Sequence, residues 1–321
     1  MIQTFGNKGR NIFGNDKENR WKMYQEFQKN YPYLCEINSI NDETEIKEEV
    51  VDAAMLISPW RLDFMAKLIL ADGYFRLYDE KKAMLLYKKH LLAFSDGILI
   101  EKGQSEKRGL KKYCSVYFHI LDLVKEKESL LVEDWPNIPV DSNYLPLDGA
   151  HRISAAIYFG KQVKLYHIDF VAPEYGRYDY SFFRNQCLDE VYILEMVYRY
   201  IQIRKCELYI VNDMREKDIQ RIYEQYAPVY IKDWKQSYVI VVDSEWTEIR
   251  NANCKRKSKI SPQLHLADKK QMMEFLQGIE SELLKEKVSN RLRRSLIRGV
   301  RFLRMFIIRA KEIWRVDDEG K

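Results

Sequence analysis

Residues 147–156 read Leu-Asp-Gly-Ala-His-Arg-Ile-Ser-Ala-Ala, and the fold can be worked out from this stretch. We predict a short strand over residues 144–147, followed by a helix that ends near Gly160. The Asp-Gly-Ala-His-Arg motif, residues 148–152, therefore lies where a strand gives way to a helix. Backbone N–H groups in the first turn of a helix lack intrahelical acceptors, and the helix dipole favours an anion there. A phosphate group is the ligand that this pattern favours.

The first helical turn also carries two side chains that suit a phosphate. His151 is a donor whose charge depends on its surroundings, and Arg152 is permanently positive. The predicted phosphate- or nucleotide-binding residues are Gly149, Ala150, His151 and Arg152. In a plainer interpretation, Asp148 is only the N-cap of the helix and Arg152 pairs with a surface carboxylate. The motif alone leaves both interpretations open.

The sequence on either side of the motif predicts a small α/β unit. Residues 137–140 (Asn-Ile-Pro-Val) are a short extended run, and the Asp-Ser-Asn that follows favours a turn. Residues 163–169 alternate like a half-buried strand. Residues 116–125 carry apolar side chains on one helical face, which we expect to pack beside the motif. The order is strand, turn, strand, Asp-Gly turn, helix, strand.

That order resembles the ParB/sulfiredoxin-like domain, with Pro-Val-Asp ahead of Asp-Gly-Ala-His-Arg and Ser-Ala-Ala behind it. The likeness covers residues 111–172 and is weaker over 51–110. It implies that the motif holds nucleotide phosphates, as in partitioning proteins that bind CTP, sulfiredoxins that use ATP, and small-molecule kinases. Ala150 stands where a sulfiredoxin has a cysteine, so sulfinic acid reduction is not expected.

The resemblance implies a nucleotide-dependent phosphotransferase (a kinase) acting on a small molecule or sugar, with ATP or CTP and Mg²⁺. The predicted catalytic residues are Asp148, His151 and Glu101. Asp148 would bind Mg²⁺ through water or orient the acceptor, and His151 would donate to a phosphate oxygen. Glu101 is the candidate general base, because kinase members have a glutamate upstream of the motif; Glu106 and Asp141 are comparable choices.

The alternative is a nucleotide-binding switch without catalysis, or a DNA-associated ParB-like module. DNA is an unlikely partner because the first 250 residues hold 35 Lys and Arg against 39 Asp and Glu. We also see no helix-turn-helix after the motif. A looser resemblance, through Tyr-Asp-Tyr-Ser-Phe-Phe at 178–183, is to bacterial proteins found with surface-polysaccharide biosynthesis. It implies a sugar or glycan precursor as substrate.

A chain of 321 residues is long enough for more than one lobe, and its patterns indicate an α/β (α+β) protein. We predict a polar N-terminal region (1–50), the ParB/sulfiredoxin-like domain (51–172), a second α/β lobe (173–265) and a basic helical tail (266–321). Further predicted elements are a helix at 17–28, the start of another within 42–52, a loop at 95–109, helices at 188–204 and 215–226, and strands at 207–211, 229–232 and 238–243.

The tail carries the second informative pattern. Residues 291–315 repeat apolar side chains at steps of three and four, and hold nine Lys and Arg but a single acid. We predict that Arg294, Arg298, Arg301 and Trp314 face an anionic membrane surface or an acidic protein partner. Nucleic acid, or the acidic body of this chain, are the other targets left open. The sequence shows no secretion signal and no transmembrane run, so we expect a cytoplasmic protein, peripheral at the inner membrane.

Overall fold

The computed structural model describes residues 16–101, 104–126, 135–173, 176–212, 216–234, 237–247 and 265–266, together with single positions between 271 and 281. Backbone contacts divide the chain into two compact units, 1–267 and 268–321, and every element named below belongs to the first. The predicted tail helix, with its arginines and Trp314, lies outside the described residues. Within them, no helix is long and apolar enough to cross a membrane.

The first unit mixes helices with sheets, as predicted. The helices are α1 (Asp16–Asn30), α2 (Pro32–Asn38), α3 (Asp63–Tyr74), α4 (Glu80–Phe94), α5 (Gly109–Glu126), α6 (Ala150–Tyr158), α7 (Tyr180–Asn185), α8 (Glu190–Ile203) and α9 (Glu216–Tyr226), with a 3₁₀ turn at Ala53–Leu56. The strands are β1 (Ile46–Asp52), β2 (Ile100–Glu101), β3 (Gln104–Arg108), β4 (Ile138–Val140), β5 (Gln162–Ile168), β6 (Cys206–Asn212), β7 (Tyr230–Trp234), β8 (Ser237–Asp243) and β9 (His265–Leu266).

A three-stranded sheet carries the motif, with β5 at its centre. β1 pairs with β5 in antiparallel fashion, Ile46 opposite Ile168, and β4 pairs with it in parallel, Ile138 opposite Leu165. The connection from β4 to β5 contains α6, which packs against α3 and α5. The predicted strands at 137–140 and 163–169, the helix after the motif and its packing beside α5 are confirmed.

Between β4 and α6 the chain reverses, and the predicted strand over 144–147 is wrong. The buried carboxylate of Asp141 accepts N–H groups of Asn143 and Leu145 at 2.8 Å and of Ala172 at 2.9 Å. The turn folds the next residues back along β4, where they make one isolated bridge, from Pro146 to Val140. As a result, the motif lies beside the first residues of β4 rather than beyond its carboxyl end.

Two further expectations are wrong. Residues 42–52 do not start a helix, because 46–52 form β1, whose β-branched residues favour an extended chain paired with β5. Residues 95–109 are more than a loop, since β2 and β3 form an antiparallel hairpin within them. In both places the pairing with another strand decides the conformation.

The N-terminal helices contribute to the same sheet. The predicted helix at 17–28 is confirmed as α1, and α2 follows it directly. Phe27, Tyr31 and Leu34 form one buried apolar cluster with Tyr166 and Ile168 of β5. This packing stabilises the short helices and brings the α1–α2 junction beside the motif.

The rest of the first unit contains a four-stranded antiparallel sheet, in the order β7-β8-β6-β9. The predicted helices and strands between 188 and 243 are confirmed as α8, α9, β6, β7 and β8. Asp243 at the end of β8 fixes α8 to this sheet, because it accepts hydrogen bonds from the Tyr200 hydroxyl at 2.7 Å and from Arg204 Nε at 2.8 Å. The two sheets lie on either side of the predicted boundary at 172–173 and belong to one compact unit.

Candidate functional site

The motif forms a helix start whose N-cap residue has no side chain that could cap the helix. Gly149, not Asp148, is the N-cap of α6, and it adopts a left-handed conformation with φ of 78°. A Cβ atom at this position would lie 3.2 Å from Arg152 Nη2 and 3.3 Å from Ile138 Cγ1. The backbone conformation therefore favours glycine, and a larger residue would also force the side chains of Arg152 and Ile138 to shift. The N–H groups of the first turn of α6 have no acceptor within the helix.

Arg152 holds the chain that leads into β4. Its Nη1 donates to the Pro136 carbonyl and its Nη2 to the Tyr31 hydroxyl at 3.1 Å. The Tyr31 hydroxyl donates in turn to the Asn137 carbonyl at 2.8 Å. Among the described residues, the hydrogen bonds of Arg152 go to neutral oxygens and not to a carboxylate, which does not agree with the plainer interpretation. Its charge remains beside the helix start.

His151 and Asp148 are each oriented by a tyrosine from another helix. Nε2 of His151 lies 2.8 Å from the hydroxyl of Tyr87 in α4. Oδ2 of Asp148 accepts from the hydroxyl of Tyr33 in α2 at 2.6 Å, while Oδ1 accepts from the N–H of Gly149. Both motif side chains are half-buried. Sequence patterns did not predict that the start of α2 supplies Tyr31 and Tyr33.

The motif opens into a cavity of about 840 Å³, and all five of its residues line the wall. This volume lies within the range of small-molecule sites, roughly 300–1,000 Å³. The first turn of α6 forms one side. Buried polar residues of α3 and α4 form another part of the wall, and aromatic side chains complete it: Tyr113, Tyr178, Phe94 and Phe182.

A buried ionic cluster in this wall was not predicted. Arg61 Nε and Nη2 donate to the two carboxylate oxygens of Asp63 at 2.8 and 3.0 Å, and Lys67 Nζ donates to Oδ2 at 2.8 Å. Burial alone raises the pKa of Asp63, but the charges of Arg61 and Lys67 outweigh it and hold that pKa well below its usual range. Asp63 is therefore ionised. Two cations share one carboxylate, so the cluster keeps one positive charge.

His90 of α4 completes the wall. Its exposed fraction is 1%, and neither ring nitrogen has a hydrogen-bonding partner in the part of the chain that the structure describes. Burial, followed by the positive charge of Lys67, lowers the pKa of His90 to about 3. The imidazole is therefore neutral at physiological pH. The sequence motifs did not point to His90.

The three candidate bases have different positions. Glu101 ends β2, beside Ile100, which lines the cavity; its side chain, like that of Glu106, lies outside the described residues. Its predicted role stays a prediction. Asp141 does not line the cavity, and the three backbone N–H groups that it accepts give it a structural role. The choice of Asp141 as general base is therefore wrong.

The donor set limits what metal the site can hold. Among the described residues, no three His, Cys, Asp or Glu side chains lie close enough together to bind a metal ion. Mg²⁺ commonly takes only one or two carboxylates and completes its shell with phosphate oxygens and water. Asp148, the predicted ligand, suits an ion that arrives with a nucleotide rather than one bound by protein alone.

The fold and the site define a mixed α/β protein with a polar, partly cationic cavity at a helix start. Comparison with known proteins gives no match, whether to a family model, to a curated protein or to a solved structure. The ParB/sulfiredoxin-like resemblance therefore stays a prediction based on the motif and its flanking elements.

Proposed function

We propose that this protein is a nucleotide-dependent phosphotransferase that acts on a small molecule or sugar. One observation carries the proposal: the uncapped start of α6 and the Arg61–Lys67 pair line the same cavity. The amide groups favour an anion through the helix dipole, and the buried cations add one unbalanced positive charge. A nucleotide bound there would have its phosphates against residues 149–152.

The chain supplies the groups that phosphoryl transfer needs, which are mostly groups that position and neutralise. Tyr87 holds the His151 ring beside the helix start, where the ring can donate to a phosphate oxygen. Arg152 contributes its positive charge, and its hydrogen bonds to Pro136 and Tyr31 hold the chain beside the helix start. An Mg²⁺ ion bound to the nucleotide would neutralise the developing charge. Asp148 would contact that ion through water or orient the acceptor.

The transfer step requires a general base for the acceptor. A carboxylate removes the hydroxyl proton, the acceptor oxygen forms a bond to the γ-phosphorus, and the bond to the bridging oxygen breaks to release the nucleoside diphosphate. We assign the base role to Glu101, as the resemblance implies. A sugar acceptor agrees with the likeness to proteins of surface-polysaccharide biosynthesis.

One observation favours the alternative, a nucleotide-binding switch without catalysis. Both carboxylate oxygens of Asp148 already accept a hydrogen bond, from Tyr33 and from Gly149. Neither oxygen is therefore free of a protein donor when a substrate hydroxyl arrives. If Glu101 is not the base either, the site would bind a nucleotide without turning it over.

Calorimetric titration with ATP and CTP, each with and without Mg²⁺, tests the proposal. We expect His151→Ala to weaken nucleotide binding about tenfold, since a hydrogen bond to a charged group is lost. The matched control is His167→Ala, because His167 bonds to Glu49 and does not line the cavity. Transfer of labelled γ-phosphate to a panel of sugars then separates the enzyme from the switch. Failure of the wild type to bind either nucleotide contradicts both.

For the tail, we propose binding to an anionic membrane surface through the nine Lys and Arg of residues 291–315. Co-sedimentation with vesicles of anionic phospholipid should retain the full chain and not the 1–288 truncation. Vesicles of neutral phospholipid are the control. Equal behaviour of the two proteins on anionic vesicles would contradict the proposal.

A further inference from the structure

His90 is a buried polar group that the proposed phosphate site does not use. Its ring lies among aromatic rings, with centroids 5.8 Å from Tyr87, 6.2 Å from Phe94 and 5.3 Å from Phe183. Neither ring nitrogen has a partner within the described residues. Buried polar groups are nearly always hydrogen-bonded, because water would otherwise satisfy them in the unfolded chain. A buried histidine without a partner calls for an explanation.

The charged neighbours do not supply that partner. Arg61 and Lys67 donate to the Asp63 carboxylate, Arg61 also donates to the Pro146 carbonyl, and within the described residues none of the three side chains is hydrogen-bonded to a ring nitrogen of His90. His90 is one of the residues that line the cavity, together with residues 148–152. Tyr87 stands between the two parts of this wall: its hydroxyl contacts His151, and its ring stacks on His90 with an interplanar angle of 19°.

The chemistry of a neutral imidazole selects what can bind it. One ring nitrogen donates and the other accepts. A hydroxyl group can do both, so it suits either nitrogen in either tautomer. A phosphate or carboxylate can only accept, and it already has its donors at the helix start. A ligand part rich in hydroxyl groups is therefore the better match for this part of the wall.

We propose that His90 is a specificity-determining residue that hydrogen bonds a hydroxyl of a sugar or polyol acceptor, while the phosphate group lies at the start of α6. The inference rests on the proposed function and names the class of acceptor. A sugar phosphate, the product of the transfer, would contact both parts of the wall at once. Pyrophosphate would contact only the helix start.

The test compares two kinds of probe by calorimetry on the wild type and three variants: a panel of hexose and pentose monophosphates, and inorganic pyrophosphate. We expect His90→Phe to weaken sugar phosphate binding about tenfold and to leave pyrophosphate binding unchanged. His151→Ala should weaken both probes. His90→Gln, which keeps a donor and an acceptor, should recover part of the sugar phosphate affinity.

The melting temperature provides a second readout. It should rise when an unpaired His90 is replaced and fall if His90 instead supports the fold. Replacing an unpaired buried histidine with Phe, or with the smaller Leu, should raise the melting temperature of the unliganded protein. A lower melting temperature for both variants would mean that His90 has a partner inside the protein, and would overturn the inference. Unchanged sugar phosphate binding in His90→Phe would also overturn it while the proposed function stands. Absence of binding of every phosphate probe would overturn both.

Discussion

At the scale of single residues, Asp63 is the counterion that stabilises the two buried cations in the cavity wall. Its side chain is 1% exposed and accepts hydrogen bonds from both Arg61 and Lys67. Asp63→Asn leaves two buried cations without a counterion, so we expect it to lower the free energy of unfolding by about 3–5 kcal/mol. Urea unfolding measures the loss. Asp148→Asn, at a half-buried position, is the control, and an equal loss in both variants would contradict the prediction.

His90 makes the stability of the protein depend on pH. Its pKa falls from 6.5 to about 3 on folding, so the unfolded chain takes up a proton at a higher pH than the folded protein does. Protonation of His90 therefore leaves the free energy of unfolding unchanged above about pH 6.5 and lowers it as the pH falls towards 3, by at most about 1.4 kcal/mol per pH unit.

Urea unfolding of the wild type and His90→Phe at a series of pH values tests this dependence. We expect the wild type to lose more free energy of unfolding between pH 6.5 and 4 than the variant does, since phenylalanine cannot take up a proton. Asp63 titrates equally in both proteins and does not affect the difference. Parallel pH profiles would show that His90 is not responsible.

At the scale of elements, local sequence predicted those helices and strands that carry a regular apolar pattern. Turns and the strands at the edges of the sheets were harder to predict. Residues 144–147 look like a strand, but the three hydrogen bonds of Asp141 reverse the chain there. Residues 42–52 look like a helix start, but pairing with β5 makes most of them a strand. The partner that decides β1 is distant in sequence, and at 144–147 two of the three hydrogen bonds of Asp141 are local and one, from Ala172, is distant.

The residues of the site also fall into two groups, those that local sequence predicts and those that it does not. The phosphate motif could be predicted because its chemistry lies within five consecutive residues. The Arg61–Asp63–Lys67 cluster and His90 could not, because they join the motif only when α3 and α4 pack around the cavity. A polar residue on an apolar helical face was the only local signal, and in most proteins such a residue is simply satisfied within the core.

Gly149 begins α6, and its replacement tests the helix start as an element. Gly149→Ala forces alanine to adopt a φ of 78° and brings a Cβ to 3.2 Å from Arg152 Nη2. We expect a loss of about 1–2 kcal/mol in stability together with weaker ATP binding. Gly109→Ala is the matched control, because Gly109 begins α5 with a φ of 77° and has open space around it.

The two glycine variants separate backbone strain from damage to the site. Thermal unfolding should show a loss in both variants, since the backbone cost is the same, and a larger loss in Gly149→Ala, where the added Cβ also meets Arg152 and Ile138. Calorimetry with ATP should show a loss only in Gly149→Ala. If both variants bind ATP as the wild type does, the first turn of α6 is not where the phosphates bind.

At the scale of the whole first unit, one buried apolar cluster links segments that flank the two sheets, and we expect it to make them unfold together. The rings of Trp60 and Trp246 meet edge to face with centroids 4.6 Å apart, and both are buried with Leu145, Ala172 and Ala227. This cluster joins the segment before α3, the turn after β4 and the end of β8. Since the predicted domains 51–172 and 173–265 share this core, we expect residues 16–247 to unfold in one transition.

Trp246→Ala should weaken both sheets together. Removing a buried tryptophan costs about 3–5 kcal/mol, and the loss should appear as a lower midpoint of a single transition in urea. Hydrogen exchange locates the effect: amides of β5 in one sheet and of β8 in the other should lose protection to the same extent, because both exchange through the same global opening. Trp21→Ala is the control, since Trp21 is 45% exposed. Loss of protection confined to β8 would show that the two sheets are separate folding units and that the boundary at 172–173 is a real one.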